Sequence, residues 1–160
     1  MRLIIAAVGK LKDGAERELE ARYADRINGA GRPLALGPLK LIELPECRAP
    51  RAEERKEDEA ARLRKAVGEA EALIVLDERG IFMSSEAFAV FLREERDRGV
   101  KSAAFLIGGP DGHGADATRG ARLTLSLGPM TLPHGLARVV LAEQIYRAIT
   151  IIAGHPYHRA

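Results

Sequence analysis

Cysteine and aromatic residues are scarce in this chain of 160 residues, and tryptophan is absent. The single cysteine, Cys47, excludes an internal disulfide and fits a reducing compartment. Its neighbours in the sequence are prolines and charged residues, with no histidine or second cysteine, so we interpret it as a bystander thiol. These features predict a cytoplasmic protein.

Long hydrophobic runs are also absent, and no stretch is long enough to span a bilayer. The apolar segment 2–8 lacks the charged region of a signal peptide and is better interpreted as a strand. We therefore expect no membrane partner. The four histidines have no cysteine or carboxylate at zinc-ligand spacing, which predicts no metal site.

Nucleotide-binding signatures are missing as well. No Walker A loop is present, and no G-x-G-x-x-G follows the first apolar run, so a phosphate-binding P-loop and an ordinary dinucleotide fold are both disfavoured.

The composition is that of a globular protein, with 46% hydrophobic and 30% charged residues. The length predicts one domain, residues 1–160. The net charge is only +2, but residues 119–160 carry five arginines against Glu143 alone, together with three of the four histidines. A basic end suits an anionic substrate such as RNA. Small charge asymmetries are common, however, so this is weak evidence by itself.

Strand-like and helix-like segments alternate along the chain, which predicts an α/β fold with a mainly parallel sheet flanked by helices. The predicted strands are residues 2–8, 39–44, 72–76, 103–107 and 122–127, and the predicted helices are residues 15–27, 52–67, one opened by Ser84, a short segment at 115–121, and 136–152. The third strand is predicted to end at Asp77, with residues 78–80 as its loop.

Two of these helices have unusual compositions. Helix 52–67 is highly charged, and its mixed signs at i, i+4 spacing favour a solvated face over RNA contact. Helix 136–152 is apolar on nearly every side, which predicts burial all round. In a chain of this size, part of that burial is expected to come from a second copy, in a homodimer.

Two glycine-bearing loops and the tail carry the candidate site. The loops are LIGGPDGHG at 106–114 and LGPMTLPHG at 127–135, and the tail is HPYHR at 155–159. Each loop follows a predicted strand, and ligands of α/β folds bind outside the carboxyl ends of strands. Together with the end of the strand at Leu76, the loops could converge on one cleft. A single glycine cluster is more often a tight turn, but two at successive strand ends favour a ligand site.

Five sequence words together resemble a known family. They are VGK at 8–10, LIGGPDG, SLGPMTLPH, RVVLAEQIYRA at 138–148 and HPYHR. With these words, the chain resembles the SPOUT superfamily of S-adenosylmethionine-dependent RNA methyltransferases, most closely its bacterial branch that methylates N3 of a pseudouridine in helix 69 of 23S ribosomal RNA. The resemblance implies a C-terminal trefoil knot, a homodimer, and a methyl donor held in the knot. Composition alone would not predict a knot, since threaded chains are nearly absent among proteins.

The resemblance also implies which residues bind S-adenosylmethionine. They are Leu76, Gly108, Gly109, Leu127, Gly128, Pro129, Met130, Thr131 and Leu132. An adenine needs an apolar slot and backbone hydrogen-bonding groups, and these loops offer both. Gly128 stands where the family pattern has a serine, which removes one hydroxyl contact.

The tail is expected to supply the chemistry. N3 of pseudouridine must lose its proton before it attacks, and His158 is the first candidate base because histidine titrates near neutral pH. Arg159 is expected beside the resulting anion, with Arg138 or Arg147 as substitutes, and Tyr157 is expected to stack on the flipped base. The alternative is that the tail is only docked at the dimer seam.

Three further groups have structural interpretations. We expect His134 to be a hydrogen-bonding residue of the fold and His113 to be an exposed loop residue, while Glu143 and Arg147 are equally well explained as an internal salt bridge.

Two other functions remain open at this point. One is a ribosome-associated binding protein of the same fold without catalysis, and the other is a nucleotide-binding domain that does not methylate. No separate RNA-binding domain is visible in the sequence. Recognition of 23S rRNA in the large subunit or the ribosome would then rely on the dimer surface and on the shape of the particle.

Overall fold

A computed structural model of the chain, which describes residues 1–158 apart from the side chain of Ala115, has a parallel sheet flanked by helices. The strands are β1 (Arg2–Val8), β2 (Leu39–Leu44), β3 (Ala72–Phe82), β4 (Ser102–Ile107) and β5 (Leu123–Ser126), in the spatial order β2-β1-β4-β3-β5. The helices are α1 (Ala15–Gly31), α2 (Ala52–Val67), α3 (Ser85–Asp97) and α4 (His134–Ile152), with 3₁₀ turns at Arg32–Leu34 and Ala115–Ala117. All four strand pairs are parallel, as predicted.

Burial along the strands follows their apolar patterns. Every residue of β4 is buried, and β1 is nearly so, because both strands lie inside the sheet with helices on its two faces. The more alternating β2 lies at an edge and is half-buried over most of its length. The predictions of a doubly buried first strand and a half-exposed second strand are confirmed.

The two faces of the sheet are covered unequally. Helices α1, α3 and α4 pack on one face, around Ile27, Phe88 and Leu141. Among the described residues, α2 alone covers the other face, through Leu63 and Val67. The loops at the carboxyl ends of β4 and β5 therefore meet α2 on one side and the three-helix layer on the other.

The prediction that β3 ends at Asp77 is wrong. The strand continues to Phe82, with its register against β5 shifted between Leu76 and Ile81. Gly80 permits this close approach, since a Cβ there would lie 2.7 Å from the backbone of β5. Glycine was interpreted as a loop signal, but here it lets two backbones meet at a bulge.

Several element ends also differ from prediction. Helix α1 continues to Gly31, and the Asn28 side chain accepts a hydrogen bond from the Leu39 amide at 2.7 Å instead of ending the helix. The predicted helical segment after the first glycine loop is only the short 3₁₀ turn. Ser84 caps α3 as predicted, its hydroxyl accepting from the Ala87 amide at 3.2 Å.

Helix α4 is buried on only part of its surface within one chain. Leu141, Ile145 and Ile149 face α1 and α3 in the core. Leu136 is exposed and Val140 is only half-buried. This agrees with the prediction that one chain supplies only part of the burial of α4, since the described residues place no layer over one side of the helix; the second copy expected there stays a prediction.

Candidate functional site

The carboxyl ends of β3, β4 and β5 enclose a cleft of about 690 Å³. Leu76 and Ile107 lie at its strand ends, and the two glycine-bearing loops form its sides. Of the residues predicted to bind the methyl donor, eight line this cleft: Leu76, Gly108, Gly109, Leu127, Gly128, Met130, Thr131 and Leu132. The ninth, Pro129, is exposed next to them. The structure thus brings together segments that are about fifty residues apart in the sequence.

Acidic side chains dominate the charged lining of the cleft. Six carboxylates line it against two cations; the carboxylates belong to Glu53, Glu57, Asp77, Glu78, Asp111 and Asp116, and the cations to Lys56 and Arg79. Hydrogen bonds from the Arg79 side chain and amide lower the pKa of Asp77, so this group stays ionised. A negatively charged cleft attracts a cationic ligand and repels a polyphosphate.

The first glycine loop, Gly108–Gly114, is folded back on itself. The Gly112 amide donates to the Gly109 carbonyl at 2.9 Å, and the Gly108 amide donates to Nε2 of His113 at 2.9 Å. A Cβ on Gly108 would lie 3.0 Å from the Gly112 backbone, which is why the turn needs glycine there. These contacts within the loop stabilise its turn.

His113 is buried inside this loop, with 7% of its surface exposed, so the expectation of an exposed residue is wrong. Burial lowers the pKa of His113, and its Nε2 lies between the Gly108 amide at 2.9 Å and the Leu106 carbonyl at 3.3 Å. Sequence reasoning missed this role because a histidine among glycines resembles a surface turn.

The second loop carries the departure from the family pattern. Gly128 has φ +135°, a conformation that a serine would adopt only with strain. The buried hydroxyl of Ser126 lies beside it, 3.3 Å from the Gly128 amide and 3.2 Å from the Gly128 carbonyl, and Ser126 also lines the cleft. A hydroxyl is therefore present at this wall, two residues before the position at which the family pattern has a serine.

The tail is docked on α4. The Tyr157 hydroxyl donates to Glu143 Oε1 at 3.1 Å, its ring packs edge-on against Tyr146 at 4.8 Å, and the Arg147 guanidinium lies 5.0 Å from its centroid. Burial, followed by hydrogen bonds with Tyr23 and Glu143, raises the pKa of Tyr157. Arg147 also pairs with Glu143 at 2.5 Å.

His158 lies against α3, with Nε2 2.7 Å from Glu86 Oε1. Hydrogen bonds from Ser84 and from the Glu86 amide lower the pKa of Glu86, and the nearby His158 adds to this effect. A carboxylate thus lies next to the candidate base. The predicted Arg159 lies outside the described residues.

The described part of the tail, residues 155–158, does not line the cleft of its own chain. Neither Tyr157 nor His158 lines the cleft. A second hollow of about 370 Å³ adjoins the cleft through residues 125–128 and is walled by α3 and α4, where Ser85 donates to Gln144 at 2.7 Å. These two side chains are the sequence neighbours of Glu86 and Glu143, which hold the tail.

Arg138, one of the predicted substitutes for Arg159, is not available to a substrate. It is 1% exposed and binds Glu20 through two hydrogen bonds of 2.9 and 2.8 Å and Glu43 through one of 2.8 Å. That prediction is wrong, because the carboxylates of α1 and β2 use the whole guanidinium. Arg147, the other substitute, is paired with Glu143 and covers Tyr157.

His134 begins α4 and does not line the cleft. Its ring lies 3.5 Å from where a Cβ of Gly9 would stand, and burial lowers its pKa. Over residues 1–158, no cluster of three or more histidine, cysteine or carboxylate side chains is arranged to hold a metal. The described helices include none that is long and apolar enough to cross a membrane.

The fold and the cleft together define a parallel α/β domain with a cleft of small-ligand size at the carboxyl ends of β3, β4 and β5. Residues 1–158 match a family described as "Predicted SPOUT methyltransferase". The chain belongs to this SPOUT methyltransferase family.

Relatives similar over their full length include proteins named Ribosomal RNA large subunit methyltransferase H. The protein of that name from Xanthobacter autotrophicus is 56% identical, and the one from Brucella anthropi is 50% identical, each alignment covering 100% of both chains. Among solved structures, a probable methyltransferase from Bordetella pertussis Tohama I has a TM-score of 0.53 at 15% identity, covering 92% of this chain and 96% of its own. At that identity the likeness concerns the fold alone.

Proposed function

We propose that this protein is an S-adenosylmethionine-dependent methyltransferase that modifies N3 of a pseudouridine in helix 69 of 23S rRNA. The observation that carries the proposal is the end-to-end similarity, at about half the positions, to proteins named as methyltransferases of large-subunit ribosomal RNA. The cleft supports it, because the loops that resemble the family's donor-binding segments lie together at one place.

The cleft suits this donor in shape and charge. Leu76 and Leu127 offer apolar walls to an adenine, and the backbone of residues 127–132 offers hydrogen-bonding groups. S-adenosylmethionine supplies an activated methyl group on a positively charged sulfur. The acidic lining favours that charge and disfavours the phosphates of ATP or NAD, which counts against the nucleotide-binding alternative.

We assign the remaining chemistry to the tail. His158 accepts the proton of N3, and Glu86 beside it favours the protonated imidazole that results. Arg159 stabilises the negative charge on the base. Tyr157 anchors the tail to α4 through Glu143 and Arg147, while its stacking on the flipped base stays a prediction.

The tail requires a homodimer in this proposal. Since His158 does not line the cleft of its own chain, we place the tail of one protomer at the cleft of its partner. Large apolar side chains exposed beside the cleft support such an interface: Ile81 at 57%, Phe82 at 64% and Met130 at 79%. We also propose the C-terminal trefoil knot, on family membership and the resemblance.

The test is methyl transfer from labelled S-adenosylmethionine to ribosomes and large subunits that lack the helix 69 methylation. We expect transfer by the wild type and a loss of about 10²–10⁴-fold in His158→Ala, the usual contribution of a positioned base. Arg159→Ala should also lose transfer while still binding the donor. Arg93→Ala, which changes an exposed residue of α3, should behave as wild type.

A different outcome would favour the binding-protein alternative. If the wild type binds the donor but transfers no methyl group to any ribosomal particle, the enzyme proposal fails. If His158→Ala retains full activity, the proposal for the tail fails while the methyltransferase proposal stands.

A further inference from the structure

The charged helix α2 has the predicted solvated face, at Glu53, Glu54, Glu57 and Asp58, and beside this face it contacts the loops around the cleft. Three of its side chains, Arg55, Glu59 and Arg64, reach out from the two sides of its apolar strip. We call these three residues the α2 clamp. Their targets lie on residues 45–51 and on residues 108–119, and the second of these segments contributes to the lining of the cleft.

Arg55 makes the most directional contact of the clamp. Its guanidinium binds both oxygens of Asp111, at 2.7 and 3.1 Å, and donates to the Ala49 carbonyl at 2.9 Å. Both side chains of the ion pair are partly exposed, at 27% and 30%. Because the planar guanidinium binds both carboxylate oxygens, this contact fixes the orientation of the Asp111 side chain as well as its distance from Arg55.

Glu59 of α2 packs directly against the first glycine loop. It is 3% exposed, and it accepts a hydrogen bond from the Cys47 amide at 2.8 Å. A Cβ on Gly109 would lie 2.6 Å from its Oε2, so the glycine backbone rests directly on this carboxylate. The first loop therefore cannot move toward α2.

Arg64 fixes the segment that follows. Its Nη2 donates to the carbonyls of Asp116 and Ala117 at 3.0 and 3.1 Å, and also to that of Arg119. The clamp thus contacts both ends of the connection that leaves β4. Four of the seven residues in Gly108–Gly114 are glycines, which lose the most conformational freedom when they are fixed.

We infer that the α2 clamp is a positioning device for the methyl donor: it holds Gly108–Gly114 in the binding shape without touching the ligand. This inference rests on the proposed function, which places the donor in the cleft. Since the ordering of the loop is completed before binding, the clamp raises donor affinity and leaves the transfer step itself unchanged.

The test compares Arg55→Ala and Arg55→Lys in the full-length protein. Calorimetry gives Kd for S-adenosylmethionine, steady-state kinetics give kcat at saturating donor, and hydrogen exchange reports on the amides of residues 108–114. We expect Kd to rise about tenfold in Arg55→Ala, within the range for residues in one salt-bridge network. Arg55→Lys should fall between it and wild type, because an ammonium cannot make the forked contact. The kcat should change by less than about twofold.

The matched control is Arg51→Ala, which changes the arginine one helical turn before Arg55, at the start of α2. Among the described residues, Arg51 pairs with Glu54 at 3.6 Å, and both side chains of this pair are exposed. It should leave Kd and loop exchange unchanged. If Arg55→Ala lowers thermal stability but binds the donor as wild type does, the inference is wrong and the clamp is only structural.

The experiment gives a different result if the proposed function, and not the inference about the clamp, is wrong. If the wild type binds no S-adenosylmethionine, that proposal fails, and hydrogen exchange then decides about the clamp alone. Faster exchange at 108–114 in Arg55→Ala than in Arg51→Ala supports positioning of the loop. Equal exchange in the two variants overturns it.

Discussion

The most informative single residue is Arg138, because its surroundings could not be read from the sequence. Arg138 opens the motif RVVLAEQIYRA, and from the sequence we interpreted it as a basic group available to an anion. In the fold its guanidinium joins α4 to α1 and β2 through Glu20 and Glu43. Partners 118 and 95 residues away in the chain decide its role, and no local pattern reports on such pairs.

Glu43 makes the contribution of the Arg138–Glu20–Glu43 cluster to the free energy of unfolding depend on pH. Burial raises the pKa of Glu43, but hydrogen bonds from the Leu11 amide and Arg138 outweigh it and hold the pKa below its usual value. A lowered folded-state pKa stabilises the protein above the unfolded pKa, and this stability is lost as pH falls through the folded pKa.

We therefore expect the free energy of unfolding to decrease as the pH falls below about 4.5, and the decrease should be smaller in Glu43→Gln. Denaturant titrations from about pH 6 to about pH 3 measure it. Glu53→Gln, an exposed site on α2, should keep the wild-type slope. An identical slope in Glu43→Gln and wild type would contradict the assignment.

Elements defined by local apolar patterns were predicted well from the sequence. The continuous run of β1, the alternation of β2 and the bounds of α2 all agree with the structure. The errors fall where tertiary contacts override a local signal. Gly80 continues a strand by close approach to β5, and the face of α2 that holds Arg55 binds a loop fifty-six residues further along the chain.

The candidate site was predictable in part. Glycine loops at strand ends indicated the cleft, and the family resemblance indicated which residues line it. No pattern in the sequence indicated the inward-facing His113, the hydroxyl of Ser126 or the separation between residues 155–158 and the cleft. Each of these depends on how the loops fold over one another, which neither periodicity nor spacing encodes.

At the level of the first glycine loop, two glycines offer a matched comparison. Gly109→Ala should lower the melting temperature and weaken donor binding, because its Cβ would meet Glu59 at 2.6 Å. We expect a cost of about 1–3 kcal/mol, as for overpacking.

Gly114→Ala is the control for this prediction. Its φ is −74°, and its Cβ would lie 3.4 Å from Lys56, an ordinary contact. Differential scanning calorimetry and donor titration compare the two variants. Equal melting temperatures would mean that the loop moves away from α2 without cost.

For the molecule as a whole, the exposed apolar side chains at the end of β3 bear on assembly. Phe82, the aromatic residue of β3, is 64% exposed and lines the second hollow. In the proposed dimer this surface is covered by the partner, so a charge placed on it opposes association.

Phe82→Asp should therefore lower the molar mass in sedimentation equilibrium from that of a dimer to that of a monomer, with an unchanged circular dichroism spectrum. It should also lose methyl transfer, since the tail then reaches no cleft. Val90→Asp, at another exposed apolar site on α3, should remain dimeric. A monomeric wild type that transfers methyl groups would contradict the shared site.

The excess of carboxylates around the cleft has a consequence for turnover. Once the methyl group has left, the sulfur of the donor is a neutral thioether, and the spent molecule carries one positive charge fewer than the fresh one. The same walls that attract the incoming donor then hold the by-product less firmly. An acidic cleft of this kind therefore binds the methyl donor in preference to its demethylated by-product through the difference in charge. This preference is largest at low ionic strength, where charges are screened least.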